Sequence, residues 1–181
     1  MKQMKSMLTI LSVLLLVIVA RAQEPTGIFK AAQDGDLALV KQLAAAGGVM
    51  QFDEVMSTPL HHAAEGGQQE VAAYLLENGA DVNLANNDGF TPLHNCAMYG
   101  NAETATLLIE KGAIVYTRDN NQMTPLHLAA LKNNVAVAEV LIARGADIND
   151  MTSTQWTPLR VAQYAKSQDM VDWLKAHGAE Q

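Results

Sequence analysis

Apolar residues cluster into short segments along most of the chain, and turns with glycine or asparagine separate the segments. Four of these segments lie at residues 71–76, 104–109, 135–142 and 170–174, and each predicts a short apolar helix. Before each of these segments stands another segment with smaller side chains, in which a leucine is followed by small residues such as Ala63 and Ala64. The pattern therefore predicts pairs of helices whose first members are thin enough for neighbouring copies to approach closely.

Two markers repeat in one register. Thr-Pro-Leu-His stands at 58–61, 91–94 and 124–127, and Thr-Pro-Leu-Arg stands at 157–160, so the step is always 33 residues. Gly-Ala recurs with the same step at 79–80, 112–113, 145–146 and 178–179. Threonine before proline predicts a helix N-cap followed by the first helical residue, because proline loses nothing at a position that has no intrahelical donor. The glycines predict helix ends with a left-handed residue.

Each unit is thus a helix, a turn, a second helix and a polar connector. One unit cannot bury its own apolar face, but stacked units share a continuous core. The Thr-Pro-Leu-His-x-Ala start and the end at 79–83, Gly-Ala-Asp-Val-Asn, resemble the ankyrin-repeat family. The resemblance implies an all-α ankyrin-repeat solenoid of about five stacked helix-turn-helix units with short β-turn connectors.

The repeat register also predicts the domain organisation. We expect one ankyrin-repeat domain at 23–181, with an N-terminal capping repeat at 26–52, repeats at 53–85, 86–118 and 119–151, and a C-terminal capping repeat at 152–181. The first copy lacks Thr-Pro. The last copy carries Arg160, Gln163 and Lys166, which make its outer side more polar, as a terminal repeat requires.

Residues 1–22 have the pattern of a secretory signal peptide. Lys2 and Lys5 precede an apolar run at 8–20, and Ala20-Arg21-Ala22 offers a cleavage site. The alternative is a transmembrane anchor, which needs about 20 apolar residues, more than this run contains. We therefore expect export to the periplasm or secretion, with a mature chain that begins at Gln23. No Asn-x-Ser/Thr acceptor is present, which favours a bacterial origin.

The net charge of the chain limits the classes of molecule that it can bind. The formal net charge is −7, and residues 1–22 hold three basic residues and no acid, which leaves nine basic and nineteen acidic residues, or −10. Such a balance repels nucleic acid and an anionic membrane surface. The sequence therefore predicts a protein partner of unknown identity, no nucleic acid, and no membrane contact after signal cleavage.

The histidines and the single cysteine are the candidates for chemistry. His61, His94 and His127 occupy one register, and helices that stack about 8–10 Å apart hold such side chains too far apart to share a zinc ion. The family resemblance implies that they are structural, because they tie connectors to helix starts by hydrogen bonds. Cys96 replaces the alanine of other copies. We predict no catalytic residue, no metal and no cofactor; a hydrolase that uses Cys96 or a histidine remains the alternative.

The resemblance implies a concave binding face made of connector tips and first helices. The residue before Thr-Pro is large and apolar in three of four copies, and large side chains follow the small pair on the first helices. We define the apolar stripe as these seven residues: Phe90, Met123, Trp156, Met98, Tyr99, Leu131 and Tyr164. The hypothesis is that the stripe binds a partner while the free protein is a monomer. The alternatives are that these side chains only pack, or that the protein self-associates through them.

Overall fold

The computed structural model of the protein describes residues 27–180, and the predicted signal peptide at 1–22 lies outside them. The described residues form ten helices in five pairs and no strand. The pairs are α1 (Gly27–Asp34) with α2 (Leu37–Gly47), α3 (Pro59–Glu65) with α4 (Gln69–Glu77), α5 (Pro92–Tyr99) with α6 (Ala102–Glu110), α7 (Pro125–Leu131) with α8 (Val135–Ala143), and α9 (Pro158–Ala165) with α10 (Gln168–Ala176). None of these helices is long and apolar enough to cross a membrane. The predicted all-α repeat solenoid is confirmed.

The Thr-Pro pairs begin helices as predicted. Proline is the first residue of α3, α5, α7 and α9, and the threonine before it is the extended N-cap. The hydroxyl of Thr157 accepts the backbone N–H of Arg160 at 3.2 Å. In the three earlier copies the histidine at N3 joins the threonine in a capping box, so the cap is shared between two side chains.

Successive first helices pack side by side, and the second helices form a parallel outer layer. The leucines of the Thr-Pro-Leu motif are fully buried, as are the small residues that follow them. Gly66 marks how close the layers come, because a Cβ at this position would collide with the carbonyl oxygen of Gln33 in the preceding repeat. The glycines at 79, 112, 145 and 178 have φ between 90° and 95°, which confirms the predicted left-handed helix ends.

Polar side chains connect neighbouring repeats at the turn between their two helices. The amide Nδ2 of Asn101 donates to the carbonyls of Ala64 and Glu65 at 2.8 Å, and the Nδ2 of Asn134 donates to the carbonyl of Ala97 at 2.8 Å. These bonds satisfy carbonyls at the ends of first helices, which have no intrahelical partner. They also fix each repeat against the one before it.

Each connector is shaped by one side chain at its first turn. In Asp53, Asn86 and Asp119 one Oδ1 accepts the backbone N–H groups two and four residues later, at 2.8 to 3.0 Å. In the last connector the hydroxyl of Thr152 accepts the backbone N–H of Trp156 at 3.1 Å and shares a hydrogen bond with the hydroxyl of Thr154 at 3.1 Å. Such Asx turns hold the connector backbone in a tight loop. The side chains that follow are therefore presented from a fixed frame.

A second line of asparagines joins the repeats behind the connectors, and it is interrupted once. Asn83 donates to the carbonyl of Gly112 at 3.0 Å and accepts the N–H of Ile114 at 2.9 Å. Asn149 accepts the N–H of Glu180 at 2.8 Å. Tyr116 occupies the same register between them and is largely exposed. Its phenol lacks the amide that makes these bonds, so this contact is weaker between the third and fourth pairs.

Candidate functional site

Buried imidazoles hold the connectors in place. His61 Nδ1 accepts the backbone N–H of Thr58 at 3.1 Å, and its Nε2–H donates to the carbonyl of Phe90 at 2.9 Å. His94 and His127 bond the carbonyls of Met123 at 3.4 Å and Trp156 at 3.0 Å in the same way. Because a backbone N–H can only donate, Nδ1 carries no proton and the ring is the neutral Nε2–H tautomer. The predicted structural role of these histidines is confirmed.

Burial keeps these rings neutral. Burial lowers the pKa of His94 to about 4, although the hydrogen bond to the Met123 carbonyl opposes part of the shift. Burial lowers the pKa of His61 and of His127 in the same way. Each ring therefore has both nitrogens engaged and no charge at neutral pH. Neither a metal ion nor a substrate can use it.

The last pair replaces this imidazole with Arg160. No further connector follows it among the described residues, and its guanidinium lies over the Trp156 ring, 5.2 Å from the centroid. The ring of Tyr164 meets Trp156 edge-on, with centroids 5.2 Å apart. Tyr164 itself is 74% exposed. The C-terminal end of the stack therefore presents a cluster of two aromatic rings and one guanidinium.

The seven stripe residues fall into two groups by exposure. Five are half-buried and packed against the core: Phe90, Met98, Met123, Leu131 and Trp156. The other two are exposed, Tyr99 at 55% and Tyr164 at 74%. Phe90 stacks on His94 with ring centroids 5.5 Å apart, so its ring contributes to packing within the protein. Two effects raise the pKa of Tyr99: partial burial, which is the larger, and the nearby Glu65 carboxylate. The phenol of Tyr99 therefore stays protonated.

A groove lies at the other end of the same face, and sequence reasoning missed it. Its volume is about 580 Å³, and its lining comes from α1, the first connector and α3: Phe29, Lys30, Gln33, Asp53, Glu54, Val55 and His62. We name it the N-terminal groove. Phe29 precedes His61 by 32 residues and occupies the matching place in its own pair, so an apolar ring stands where later copies carry a connector-binding imidazole. This substitution is the signal that the sequence offered.

An acid–histidine pair forms one wall of the N-terminal groove. Asp53 Oδ2 accepts a hydrogen bond from His62 Nε2 at 2.9 Å, and Glu65 lies 3.8 Å from the other ring nitrogen. The ring of Phe29 packs against the imidazole with centroids 5.2 Å apart. Burial raises the pKa of Asp53, but hydrogen bonds from His62 and from two backbone N–H groups outweigh it, so the pKa is lower than usual.

Comparison with known proteins identifies the family. The family description "Ankyrin repeats (3 copies)" matches overlapping stretches at 7–86, 28–119, 78–152 and 114–181. The chain belongs to the ankyrin-repeat family. This ankyrin-repeat protein is 41% identical over 69 residues to protein phosphatase 1 regulatory subunit 27 of Mus musculus and 39% identical over 69 residues to that of Homo sapiens. Each match covers 36% of this chain and 45% of the relative, so the chain spans less than half the length of these relatives.

Ankyrin repeats indicate a protein-interaction module, and neither the N-terminal groove nor Cys96 shows an activated nucleophile. The residues that line the N-terminal groove include no serine, threonine or cysteine that His62 could activate, and the lowered pKa of Asp53 makes it a weak base. Cys96 is fully buried and burial raises its pKa, so a reactive thiolate does not form. Within residues 27–180 no group of three acidic, histidine or cysteine side chains is placed to hold a metal ion.

Proposed function

We propose that this protein is a non-catalytic module that binds a partner protein through the concave face formed by its connectors and first helices. The observation that carries the proposal is the exposed aromatic pair Tyr99 and Tyr164 on a rigid frame, with Trp156 beside Tyr164. Exposed tyrosine, tryptophan and arginine side chains are the usual anchors of protein interfaces. Because the carbonyl of Trp156 is fixed by His127, the cluster is held ready before a partner arrives.

The relatives support the class of activity. Both are named as regulatory subunits of protein phosphatase 1, and a non-catalytic binding role agrees with that name. The shared region covers 69 residues, which is too little to carry the identity of a partner from the relatives to this chain. The proposed partner is therefore defined only as a protein with a surface for aromatic anchors.

The proposal includes location and oligomeric state. An exported protein of bacterial origin, periplasmic or secreted, agrees with the pattern at residues 1–22, and cleavage there gives an N-terminus at Gln23. Mass spectrometry of the protein recovered from the native host checks this. A cytoplasmic protein that retains Met1 contradicts export.

We propose a monomer in the free state. A dimer mass by light scattering contradicts this and favours self-association through the stripe.

Partner capture tests the binding face. Tagged wild-type protein and the Tyr99→Ser/Tyr164→Ser double variant are compared on the same extract. Both tyrosines are exposed, so the double variant should keep its fold. The matched control is Tyr116→Ser, which removes a similarly exposed tyrosine from the loop that follows the second helix α6. The proposal predicts that capture is lost in the double variant and kept in the control. Equal capture by all three proteins contradicts it.

A further inference from the structure

The tips of the first three connectors are linked by backbone hydrogen bonds in a fixed register. The N–H of Asn87 donates to the carbonyl of Val55 at 2.9 Å, and the N–H of Asn120 donates to the carbonyl of Asp88 at 3.0 Å. In the first connector, Glu54 occupies the same register as the donors Asn87 and Asn120. Among the described residues its N–H has no acceptor, and this connector has a neighbour on one side only. A backbone N–H of this kind can donate to a carbonyl of a bound segment.

The N-terminal groove lies beside Glu54 and has an apolar wall. Phe29 and Val55 contribute it, and Val55 is 45% exposed. Phe52 and Met56 of the same connector are also exposed, so the apolar character continues past the groove. A volume of about 580 Å³ is within the range of about 300–1,000 Å³ that is usual for ligand sites. It fits a few side chains and not a folded domain.

The charge around the N-terminal groove is negative. Asp53 and Glu54 line it, and Glu65 lies next to His62 at its edge. The one lysine in the lining, Lys30, is already paired with Asp34 at 2.6 Å. A basic side chain from outside would meet unneutralised carboxylates there, and its aliphatic stem would cover the apolar wall. Charge complementarity therefore selects a cationic occupant.

We infer that the N-terminal groove binds an extended segment of a partner protein in which arginine or lysine alternates with an apolar residue. Side chains of an extended segment point to alternate sides, so an apolar residue packs on Phe29 and Val55 while its basic neighbours reach Glu54 and Glu65. A carbonyl of the segment accepts the N–H of Glu54. This inference rests on the proposed function, because it gives the concave face a second area of contact at the opposite end from Tyr164.

Fluorescence anisotropy with defined peptides tests the inference on the full-length protein. The probe is a labelled peptide of alternating arginine and leucine with blocked ends, and the control peptide carries glutamate in place of each arginine. The protein variants are Val55→Ser, which removes apolar surface without adding charge, and Glu54→Gln, both at exposed side chains, and the matched control is Glu77→Gln on α4, an exposed acid on the outer layer. Circular dichroism verifies that each variant is folded.

The expected result is saturable binding of the arginine peptide and none of the glutamate peptide. The affinity should be about threefold to fivefold weaker in Val55→Ser and in Glu54→Gln but unchanged in Glu77→Gln. Added salt should weaken the binding. No saturable binding overturns the inference, and so does equal weakening by Glu77→Gln, which is the sign of unspecific charge attraction. Occupation of the groove by the chain's own residues before Gly27 also overturns it, and is seen as a protected Glu54 amide without peptide.

The same experiment separates this inference from the proposed function. If the peptide does not bind but partner capture still depends on Tyr99 and Tyr164, the groove inference is wrong and the proposed function stands. If the peptide binds through Glu54 and Val55 but capture is indifferent to both tyrosines, the groove is a binding site and the aromatic face is not. If only the Tyr99→Ser/Tyr164→Ser variant binds the arginine peptide more weakly, the peptide binds at the stripe, and the inference is overturned.

Discussion

Protonation of His94 should destabilise the fold. The ring is fully buried, its Nδ1 accepts the Thr91 N–H at 3.1 Å, and its Nε2–H donates to the Met123 carbonyl. Burial lowers its pKa from 6.5 to about 4. Well above pH 6.5 the ring is neutral in both the folded and the unfolded chain. Between pH 6.5 and about 4 only the unfolded chain takes up the proton, so stability falls as the pH falls through this window.

The magnitude follows from the shift. One pKa unit corresponds to about 1.4 kcal/mol, so His94 alone accounts for roughly 3 kcal/mol across the whole window, and the loss levels off below about pH 4. His61 and His127 act in the same direction, because burial lowers the pKa of each. A loss of this size is a large part of the stability of a domain, which is typically about 5–15 kcal/mol.

Urea unfolding at a series of pH values measures the effect in the wild type and in His94→Gln. Glutamine offers an acceptor and a donor but does not titrate in this range. Between about pH 7.5 and about pH 4.5, the wild type should lose roughly 2 kcal/mol more stability than the variant. Carboxylate titration is common to both proteins and cancels in the comparison. An equal loss in both proteins would refute the assignment of a buried neutral imidazole.

Three further changes test the packing. Tyr116→Asn should raise the free energy of unfolding by about 1 kcal/mol, because it restores a missing amide to the line of asparagines; an unchanged urea midpoint contradicts this. Gly66→Ala should lower the free energy of unfolding by about 1–3 kcal/mol, because the added methyl group meets the Gln33 carbonyl. The control Gly47→Ala should be tolerated, because its methyl group meets only the flexible end of a side chain. Equal urea midpoints in the two variants would contradict the close approach at Gly66. Cys96 should react with a thiol reagent only at the rate of unfolding, and fast labelling of the folded protein would show that it is accessible.

Much of the fold could be predicted from the sequence, because the determinants of the helix pairs are local. Proline after threonine fixes helix starts, and the glycine of each Gly-Ala pair fixes helix ends. The step of 33 residues then requires each pair to pack on a copy of itself. The role of the histidines was predictable from the family resemblance, since the motif carries the imidazole together with its threonine.

Exposure within the stripe was not predictable from the register. Phe90 and Tyr164 both belong to the predicted face, but the ring of Phe90 stacks on His94, whereas Tyr164 meets Trp156 only at an edge and is largely exposed. The difference arises from which neighbours surround each side chain, and a repeat pattern treats all copies alike. The neighbours of each side chain therefore decide which stripe residues are accessible, since Tyr99 in the third pair and Tyr164 in the last pair are both exposed.

The N-terminal groove also escaped prediction for a physical reason. Its walls come from Phe29, Val55 and His62, which are far apart in the chain and meet only when the first connector folds over α1. The Asx turn at Asp53 directs this connector, and the same carboxylate then binds His62 through its second oxygen. An acidic residue in a connector does not by itself reveal that double role.

The central claim is that the stack of repeats presents its exposed concave side chains to a partner protein. Photo-crosslinking tests it most directly, with p-benzoylphenylalanine incorporated in place of Tyr164 in one protein and in place of Tyr116 in another. Both positions are highly exposed; position 164 lies on the first helix α9, and position 116 lies in the loop that follows the second helix α6. The account predicts that the partner crosslinks to position 164 and not to position 116. Crosslinks from position 116 alone, or equal crosslinks from both positions, would contradict it.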